Sequence, residues 1–280
     1  MFLLNISGTQ KCTSELFART MRANNSRNHK TNIKIMFKNY SSKLLFVPFL
    51  ALFISCTQKN TETQPSEPLM GDVFTAEDQA NLTPEAILSS FKVGNERYIN
   101  NNLTSRDYKA QVIATKSAQY PKAVVLSCID SRVPVEKVFD KGVGDIFVAR
   151  VAGNTVNPDI LGSIEYGAAV AGSKLIVVLG HEACGAVKAA IDKAELSDNA
   201  DILLGRVQPA IDAVEGYENN RTSKNAEFVD KVVNKNVEYT INEMMVKSPV
   251  LKGMVDKNEI MVVGAYYDLD TGKVTFVENK

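Results

Sequence analysis

The chain has 280 residues, with 32 Lys and Arg against 32 Asp and Glu, 45% apolar residues and 23% charged residues. This composition is typical of a folded globular protein, and it excludes a wholly disordered chain, a collagen-like fibre and a polytopic membrane protein. Residues 1–56 hold eight basic residues and one acid, which leaves a net charge of about −7 on the remainder. An acidic body without a basic stripe argues against nucleic acid as a partner.

The N-terminal segment has the pattern of a targeting signal. Residues 44–56 form an apolar run preceded by Lys38 and Lys43. The run is shorter than the roughly 20 residues of a membrane-spanning helix, but it suits the apolar region of a signal peptide. It ends in Phe53-Ile54-Ser55-Cys56, which resembles the lipobox of bacterial lipoproteins, in which the cysteine is lipidated and becomes the mature N-terminus.

We therefore predict a signal segment over residues 1–56, with Met36 as the true start and Cys56 as the lipidated residue. Residues 57–73 are then a flexible tether, and the protein is a lipoprotein of the bacterial cell envelope that faces the periplasm. An organelle-targeting segment over residues 1–40 and a single uncleaved anchor are the alternatives.

Residues 74–280 show alternating helix and strand patterns. Thr83 and Pro84 suit the N-cap and the first position of a helix. Short, unbroken apolar runs predict strands that are covered on both faces; they lie at residues 123–127, 146–149 and 175–179. Helical patterns lie at residues 135–139, 160–171, 201–214 and 226–247, and after Cys184.

The chain ends with two apolar runs, residues 260–267 and 274–276, separated by Asp270-Thr271-Gly272, which predicts a hairpin. The whole pattern predicts one α/β domain over residues 74–280. It has a central, mainly parallel β-sheet flanked by helices, a C-terminal hairpin strand and an N-terminal helical arm.

Three candidate metal ligands follow predicted strands. Cys128, His181 and Cys184 are the only cysteines and the only histidine beyond residue 57. Ligands of open parallel sheets bind beyond the carboxyl ends of the strands, so these side chains are expected to meet there. Two thiolates and one imidazole are a zinc set, and three protein ligands leave the fourth position open, as catalytic zinc requires.

Asp130 and Arg132 follow Cys128 by two and four residues. A guanidinium that binds a carboxylate in a bidentate manner orients it and keeps it ionised, so Asp130 can accept a hydrogen bond from water at the metal. A different reading stays open, because Cys128 and Cys184 can form a disulfide in an oxidising compartment. The protein would then be a non-catalytic binding or scaffold module.

The motif Cys128-Ile129-Asp130-Ser131-Arg132, together with His181-Glu182-Ala183-Cys184-Gly185, resembles the β-class carbonic anhydrases. The resemblance extends to residues 144–154 and 163–166. It implies one Zn²⁺ per chain on Cys128, His181 and Cys184, with Asp130 and Arg132 as the catalytic dyad. In some members of that family the aspartate itself moves onto the metal, so Asp130 is also a candidate ligand.

The resemblance further implies the reaction and the substrate pocket. The reaction is the reversible hydration of CO₂ to bicarbonate and a proton; hydrolysis of COS or CS₂ on the same fold is the alternative. Gln119 would donate a hydrogen bond to bicarbonate, Phe147 and Tyr166 would line the CO₂ pocket, and Gly185 would contact substrate. Members of the family are dimers or higher oligomers with a pocket built across the subunit interface, so a homodimer or homotetramer is expected.

Overall fold

The computed structural model describes residues 70–277. The predicted signal segment with Met36 and Cys56, and the tether up to residue 69, lie outside the described residues. Within residues 70–277, no helix has the length and apolar character needed to cross a membrane.

A five-stranded sheet forms the centre of the fold, in the order β2-β1-β3-β4-β5. The strands β1 to β4 are parallel, and β5 pairs with β4 in the antiparallel direction. This confirms the mainly parallel sheet and the C-terminal hairpin. The strand bounds are β1 Ala123–Ser127, β2 Ile146–Arg150, β3 Leu175–His181, β4 Met261–Tyr267 and β5 Val274–Val277.

Ten α-helices surround the sheet within the described residues. They are α1 Ala76–Asn81, α2 Pro84–Ile99, α3 Tyr108–Thr115, α4 Val135–Val138, α5 Pro158–Glu165, α6 Gly185–Ile191, α7 Asp198–Gly205, α8 Gln208–Asp212, α9 Ala226–Lys247 and α10 Pro249–Asp256. The predicted cap of α2 is present, since the Thr83 hydroxyl accepts a hydrogen bond from the Ala86 N–H. The helix predicted over residues 226–247 is confirmed as α9.

Two predicted helices differ from the structure. The pattern over residues 201–214 contains two helices, α7 and α8, because Pro209 near the start of α8 has no N–H with which to continue the hydrogen-bond ladder. The pattern over residues 160–171 begins earlier, at Pro158, with Asn157 as the N-cap. It then widens into a π-helical turn, Tyr166–Val170, after α5 ends.

The helical arm, residues 76–115 with α1 to α3, packs through α2 on one face of the sheet. Phe91 of α2 is fully buried, and its ring centroid lies 4.7 Å from that of Phe139. The buried Asn95 side chain donates hydrogen bonds to the carbonyls of Val138 and Gly272 and accepts one from the Val274 N–H. These contacts join the arm to the end of α4 and to the C-terminal hairpin.

A buried carboxylate fastens the end of the arm. The Asp140 side chain has no exposed surface and binds the guanidinium groups of Arg97 and Arg106. The Thr104 hydroxyl donates a further hydrogen bond of 2.7 Å to it. Burial raises the pKa of Asp140, but the hydrogen bonds from Arg106, Thr104 and Arg97 outweigh it and hold the pKa at about 2.

Candidate metal centre

The candidate ligands lie where the order of the strands reverses. The chain leaves β1 toward β2 on one side, and it later crosses to β3 on the other side of β1. A crevice forms beyond the carboxyl ends at such a switch point. Cys128 directly follows β1, His181 ends β3, and Cys184 directly precedes α6. The fold therefore brings the three predicted ligands to one crevice.

The geometry of this trio suits one tetrahedral metal ion. The ligand atoms of Cys128, His181 and Cys184 all lie within 4.8 Å of one another. The two sulfurs are 3.9 Å apart. Two thiolates at about 2.3 Å from one tetrahedral ion would be about 3.8 Å apart, whereas the sulfurs of a disulfide are about 2.05 Å apart. Both cysteines are free and buried, so the disulfide alternative is not present in the structure.

His181 has one ring nitrogen to spare. Its Nδ1 lies 2.9 Å from the carbonyl oxygen of Glu182, a contact in which Nδ1–H donates. That bond leaves the lone pair on Nε2, which is fully buried and has no hydrogen-bond partner among the described residues. A buried, unpaired acceptor is costly, and a metal ligand is the usual reason for one.

The two thiols shift each other's pKa in opposite directions. The hydrogen bond with Cys184 lowers the pKa of the Cys128 thiol, and the same bond together with burial raises the pKa of the Cys184 thiol. The backbone N–H groups of Val187 and Ala186, at the start of α6, act in the opposite direction on Cys184. These N–H groups would stabilise the thiolate form of Cys184 that metal binding requires.

The turn between the two ligands of β3 and α6 is strained. Ala183, between His181 and Cys184, has a φ of +53°. Residues other than glycine rarely adopt this left-handed region, and such residues concentrate at functional sites. The strained turn folds the chain back so that both side chains reach the same point.

Sequence reasoning missed the residues that support Cys128 from behind. The Gly153 N–H lies 3.4 Å from the Cys128 sulfur, in a turn where Gly153 itself has a φ of +71°. The Asn236 side chain, buried on α9, donates a 2.8 Å hydrogen bond to the Gly153 carbonyl. The only sequence signal for this support is Asn236 itself, a single amide on the apolar face of α9. Such a residue does not identify Gly153, 83 residues away, as its partner.

Asp130 stands beside the trio in the predicted ion pair. Arg132 donates from Nε and Nη2 to the two carboxylate oxygens at 2.9 and 2.7 Å, and its backbone N–H adds a third bond of 2.9 Å. These hydrogen bonds hold the pKa of Asp130 well below its usual range. Its Oδ2 lies 3.9 Å from His181 Nε2, at the edge of the candidate metal position.

The loop that carries Asp130 is braced by the last residue of β2. The Arg150 guanidinium donates to the Cys128 carbonyl at 2.8 Å and to the Asp130 carbonyl at 2.5 Å. The converging group consists of Cys128, His181 and Cys184 without Asp130, whose oxygens are bound to Arg132. A direct metal bond from Asp130 therefore stays a prediction.

The predicted pocket residues lie apart from the trio in a single chain. Phe147 and Tyr166 line a common groove of about 690 Å³ beside the edge strand β2, together with Val124, Ile160 and Ser163. Neither cysteine nor His181 lines that groove. Gln119 is exposed on the loop between α3 and β1, and Gly185 is exposed at the start of α6. The roles of these four residues toward substrate stay predictions.

Comparison with protein families gives a match over most of the described domain. A family model described as Carbonic anhydrase matches residues 123–274. The chain is 35% identical over 197 residues to "Carbonic anhydrase 2" of Mycobacterium tuberculosis, a span of 69% of this chain and 92% of that protein. It is 34% identical over 196 residues to "Carbonic anhydrase" of Mycolicibacterium smegmatis, covering 69% and 93% respectively.

Solved structures agree on the fold. A tetrameric β-carbonic anhydrase of Sordaria macrospora superposes with a TM-score of 0.53 at 23% identity, covering 70% of this chain and 96% of that one. A Coccomyxa β-carbonic anhydrase in complex with acetazolamide superposes with a TM-score of 0.51 at 23% identity, covering 68% and 81%. At these identities the likeness concerns the fold, and the site rests on the residues above.

Proposed function

The chain belongs to the β class of the carbonic anhydrase family, and we propose that it catalyses the reversible hydration of CO₂ to bicarbonate and a proton at a zinc ion bound by Cys128, His181 and Cys184. The observation that carries this proposal is the convergence of two free thiols and an unpartnered imidazole nitrogen within 4.8 Å. The ion-paired carboxylate of Asp130 lies beside them.

The donor set fits zinc. Two sulfurs and one nitrogen are ligands that Zn²⁺ accepts, and three protein ligands leave the fourth position to solvent. When bound there, zinc would supply a nucleophile at neutral pH by lowering the pKa of a water ligand. The carbonyl of Glu182 fixes the tautomer in which His181 offers Nε2, and the N–H groups of Gly153, Ala186 and Val187 favour the thiolate forms.

Asp130 supplies a hydrogen-bond acceptor next to this position. Because Arg132 keeps the carboxylate ionised and oriented, Asp130 offers an acceptor oxygen to a water molecule and fixes which lone pair of that water faces the substrate carbon. The thiolates of Cys128 and Cys184 would offset the charge of a bound Zn²⁺, which would then polarise water less than an ion held by three histidines. The Asp130 carboxylate, whose Oδ2 lies 3.9 Å from His181 Nε2, would compensate for this weaker polarisation of water.

We further propose that a second copy of the chain completes the substrate pocket, in a homodimer or homotetramer. The groove lined by Phe147 and Tyr166 is open beside the edge strand β2, and Tyr166 is 58% exposed in the single chain. Gln119 is likewise exposed. Apolar and hydrogen-bonding groups that belong to a pocket but face solvent in one chain are consistent with a site closed by a partner.

Attachment to a bacterial envelope membrane through a lipidated Cys56, with the domain on the periplasmic side, remains a proposal from the sequence pattern of residues 1–56. Mass analysis of the mature N-terminus after expression in a bacterial host tests it. A lipid-modified Cys56 supports the proposal, and an intact segment before Met36 contradicts it.

The enzymatic proposal is tested by measuring metal content and CO₂ hydration on the same purified preparation. We expect one zinc per chain, two thiols protected by the metal, and hydration measured by stopped flow that is faster than hydrolysis of COS. His181→Ala should lose zinc and activity together, since two thiolates do not hold the catalytic geometry alone. Circular dichroism checks that this variant is folded. Retained zinc with a full rate in a folded His181→Ala protein would contradict the ligand assignment.

A further inference from the structure

A second charged cavity lies away from the metal centre, between the helical arm and the sheet. It has a volume of about 640 Å³, and charged groups from several segments line it: Asp72, Asp78, Arg97, Arg106, Lys122, Asp140, Lys141 and Asp145. None of the candidate metal ligands lines it. The mechanism proposed above uses no residue of this cavity.

Lys141 is the unusual group in its wall. The residue is only 6% exposed. Its Nζ donates to the carbonyl oxygen and the hydroxyl oxygen of Ser90, at 3.0 and 3.3 Å, and lies 4.8 Å from the centroid of the Phe91 ring. All of these partners are neutral. Within residues 70–277, the Lys141 amine makes no ion pair with a carboxylate.

The charged neighbours of Lys141 are already committed to one another. Asp140 is bound by Arg97 and Arg106, and Asp145 pairs with the Lys122 ammonium at 3.4 Å. Burial, with the nearby Lys122 as the next cause, lowers the pKa of Lys141 to about 7. The carboxylates of Asp145 and Asp140 oppose this shift without overcoming it. At physiological pH, a large fraction of the protein molecules therefore carries Lys141 as the neutral amine.

We propose that Lys141 is a carbamylation site, where the side-chain amine binds CO₂ covalently in the cavity between the helical arm and the sheet. The lone pair of the neutral Nζ attacks the carbon of CO₂, and an N–C bond forms. The π electrons of one C–O bond move onto that oxygen to give a carboxylate, and Nζ loses one proton to water or buffer. No oxidant, reductant or metal is required.

Cationic side chains in the wall of the cavity favour the carbamate of Lys141. Carbamylation converts an amine that is only partly protonated into an anion. A cavity lined by carboxylates alone would disfavour this change. Lys122 and Arg106 line the same cavity, and although they pair with Asp145 and Asp140, their positive charge still favours an anion at Lys141 over a second cation. The positive charge of Lys122 disfavours the protonated form of Lys141 and favours its carbamate. The same neighbour therefore promotes both the reactive amine and the product. The reaction at Lys141 needs dissolved CO₂, but it does not depend on hydration at the metal centre.

The test traps the carbamate chemically on the full-length purified protein. The protein is equilibrated with ¹³C-labelled CO₂ and bicarbonate, treated with a trialkyloxonium salt that esterifies carbamates, digested, and analysed by peptide mass spectrometry. We expect the labelled ester at Lys141 at a level at least about tenfold above that at Lys137, an exposed lysine four residues away that serves as the internal control. With dissolved CO₂ held constant, the label should rise as pH increases through about 7.

Two variants sharpen the result. Lys122→Met removes a cation that faces the carbamate and should lower the label at Lys141 severalfold, whereas Lys137→Met should leave it unchanged. Asp130→Asn, altered at the metal centre, should be labelled like the unmodified protein because the reaction needs only CO₂. Absence of label at Lys141, equal label at Lys137, or loss of label in Asp130→Asn would each overturn the proposal. None of these outcomes bears on the rate of CO₂ hydration.

Discussion

The Asp140 carboxylate offers the sharpest test of how the helical arm is held to the sheet. Its side chain is fully buried and binds Arg97, Arg106 and Thr104. Arg97 lies in α2, whereas Thr104 and Arg106 lie in the loop between α2 and α3. Asp140→Asn keeps the shape of the side chain but removes its charge. We expect this single change to destabilise the folded chain, because two guanidinium groups lose their common counter-charge.

The magnitude follows from the pKa and from the burial of the pair. A carboxyl group with a pKa of about 2 when folded and about 3.9 when unfolded contributes roughly 2–3 kcal/mol at neutral pH. Breaking a buried ion pair by removing one partner costs about 3–5 kcal/mol. The Arg97 side chain is 35% exposed, so water recovers part of that loss. We therefore expect Asp140→Asn to lower the free energy of unfolding by about 3 kcal/mol.

The sign of the pH dependence is fixed by the lowered pKa. A carboxyl whose pKa is lower in the folded state contributes stability above its unfolded pKa and loses it as pH falls toward the folded value. The stability gap between the unmodified protein and Asp140→Asn should be constant from about pH 7 to about pH 5 and should shrink below about pH 4.

Urea unfolding followed by circular dichroism, at one protein concentration, measures this gap. Asp270→Asn makes the same chemical change at an exposed turn carboxylate and is the matched control, with an expected effect within about 0.5 kcal/mol. If Asp140→Asn is as stable as this control, or if its deficit persists unchanged to about pH 3, the anchoring role assigned to Asp140 is wrong.

Two further predictions concern the metal centre. Asp130→Asn should retain zinc but lose about 10²- to 10⁴-fold in CO₂ hydration measured by stopped flow, because a neutral amide is a weaker hydrogen-bond acceptor for water and does not pair with Arg132; an unchanged turnover would remove Asp130 from the mechanism. Asn236→Ala should weaken metal affinity or turnover about 10- to 100-fold, since the turn that directs the Gly153 N–H at Cys128 loses its support. Asn234→Ala on the same helix is the control, and equal effects in both would show that the loss is general to α9.

Much of the fold, and the convergence of the three candidate metal ligands, could be predicted from the sequence. The apolar runs of β1 and β3 are uninterrupted because both strands are buried on each face, and this pattern is local to the chain. Cys128, His181 and Cys184 were identifiable as candidates because cysteine and histidine are rare in residues 70–277 and all three lie at or within three residues of the ends of those runs. Parallel strands then place their carboxyl ends at one edge, so sequence position was enough to predict proximity.

Other features depended on contacts that no local pattern encodes. Asn236 supports Gly153, and Asp140 gathers Arg97 and Arg106, only because the folded chain brings distant segments together. The break between α7 and α8 could not be predicted from hydrophobic periodicity, because the spacing of apolar residues continues across it. The neutral surroundings of the Lys141 amine likewise follow from burial and from which neighbouring charges pair with each other. Residue type and spacing determined the chemistry available to this protein, whereas tertiary packing decided the protonation, orientation and support of each group, because those depend on distances between residues remote in the chain.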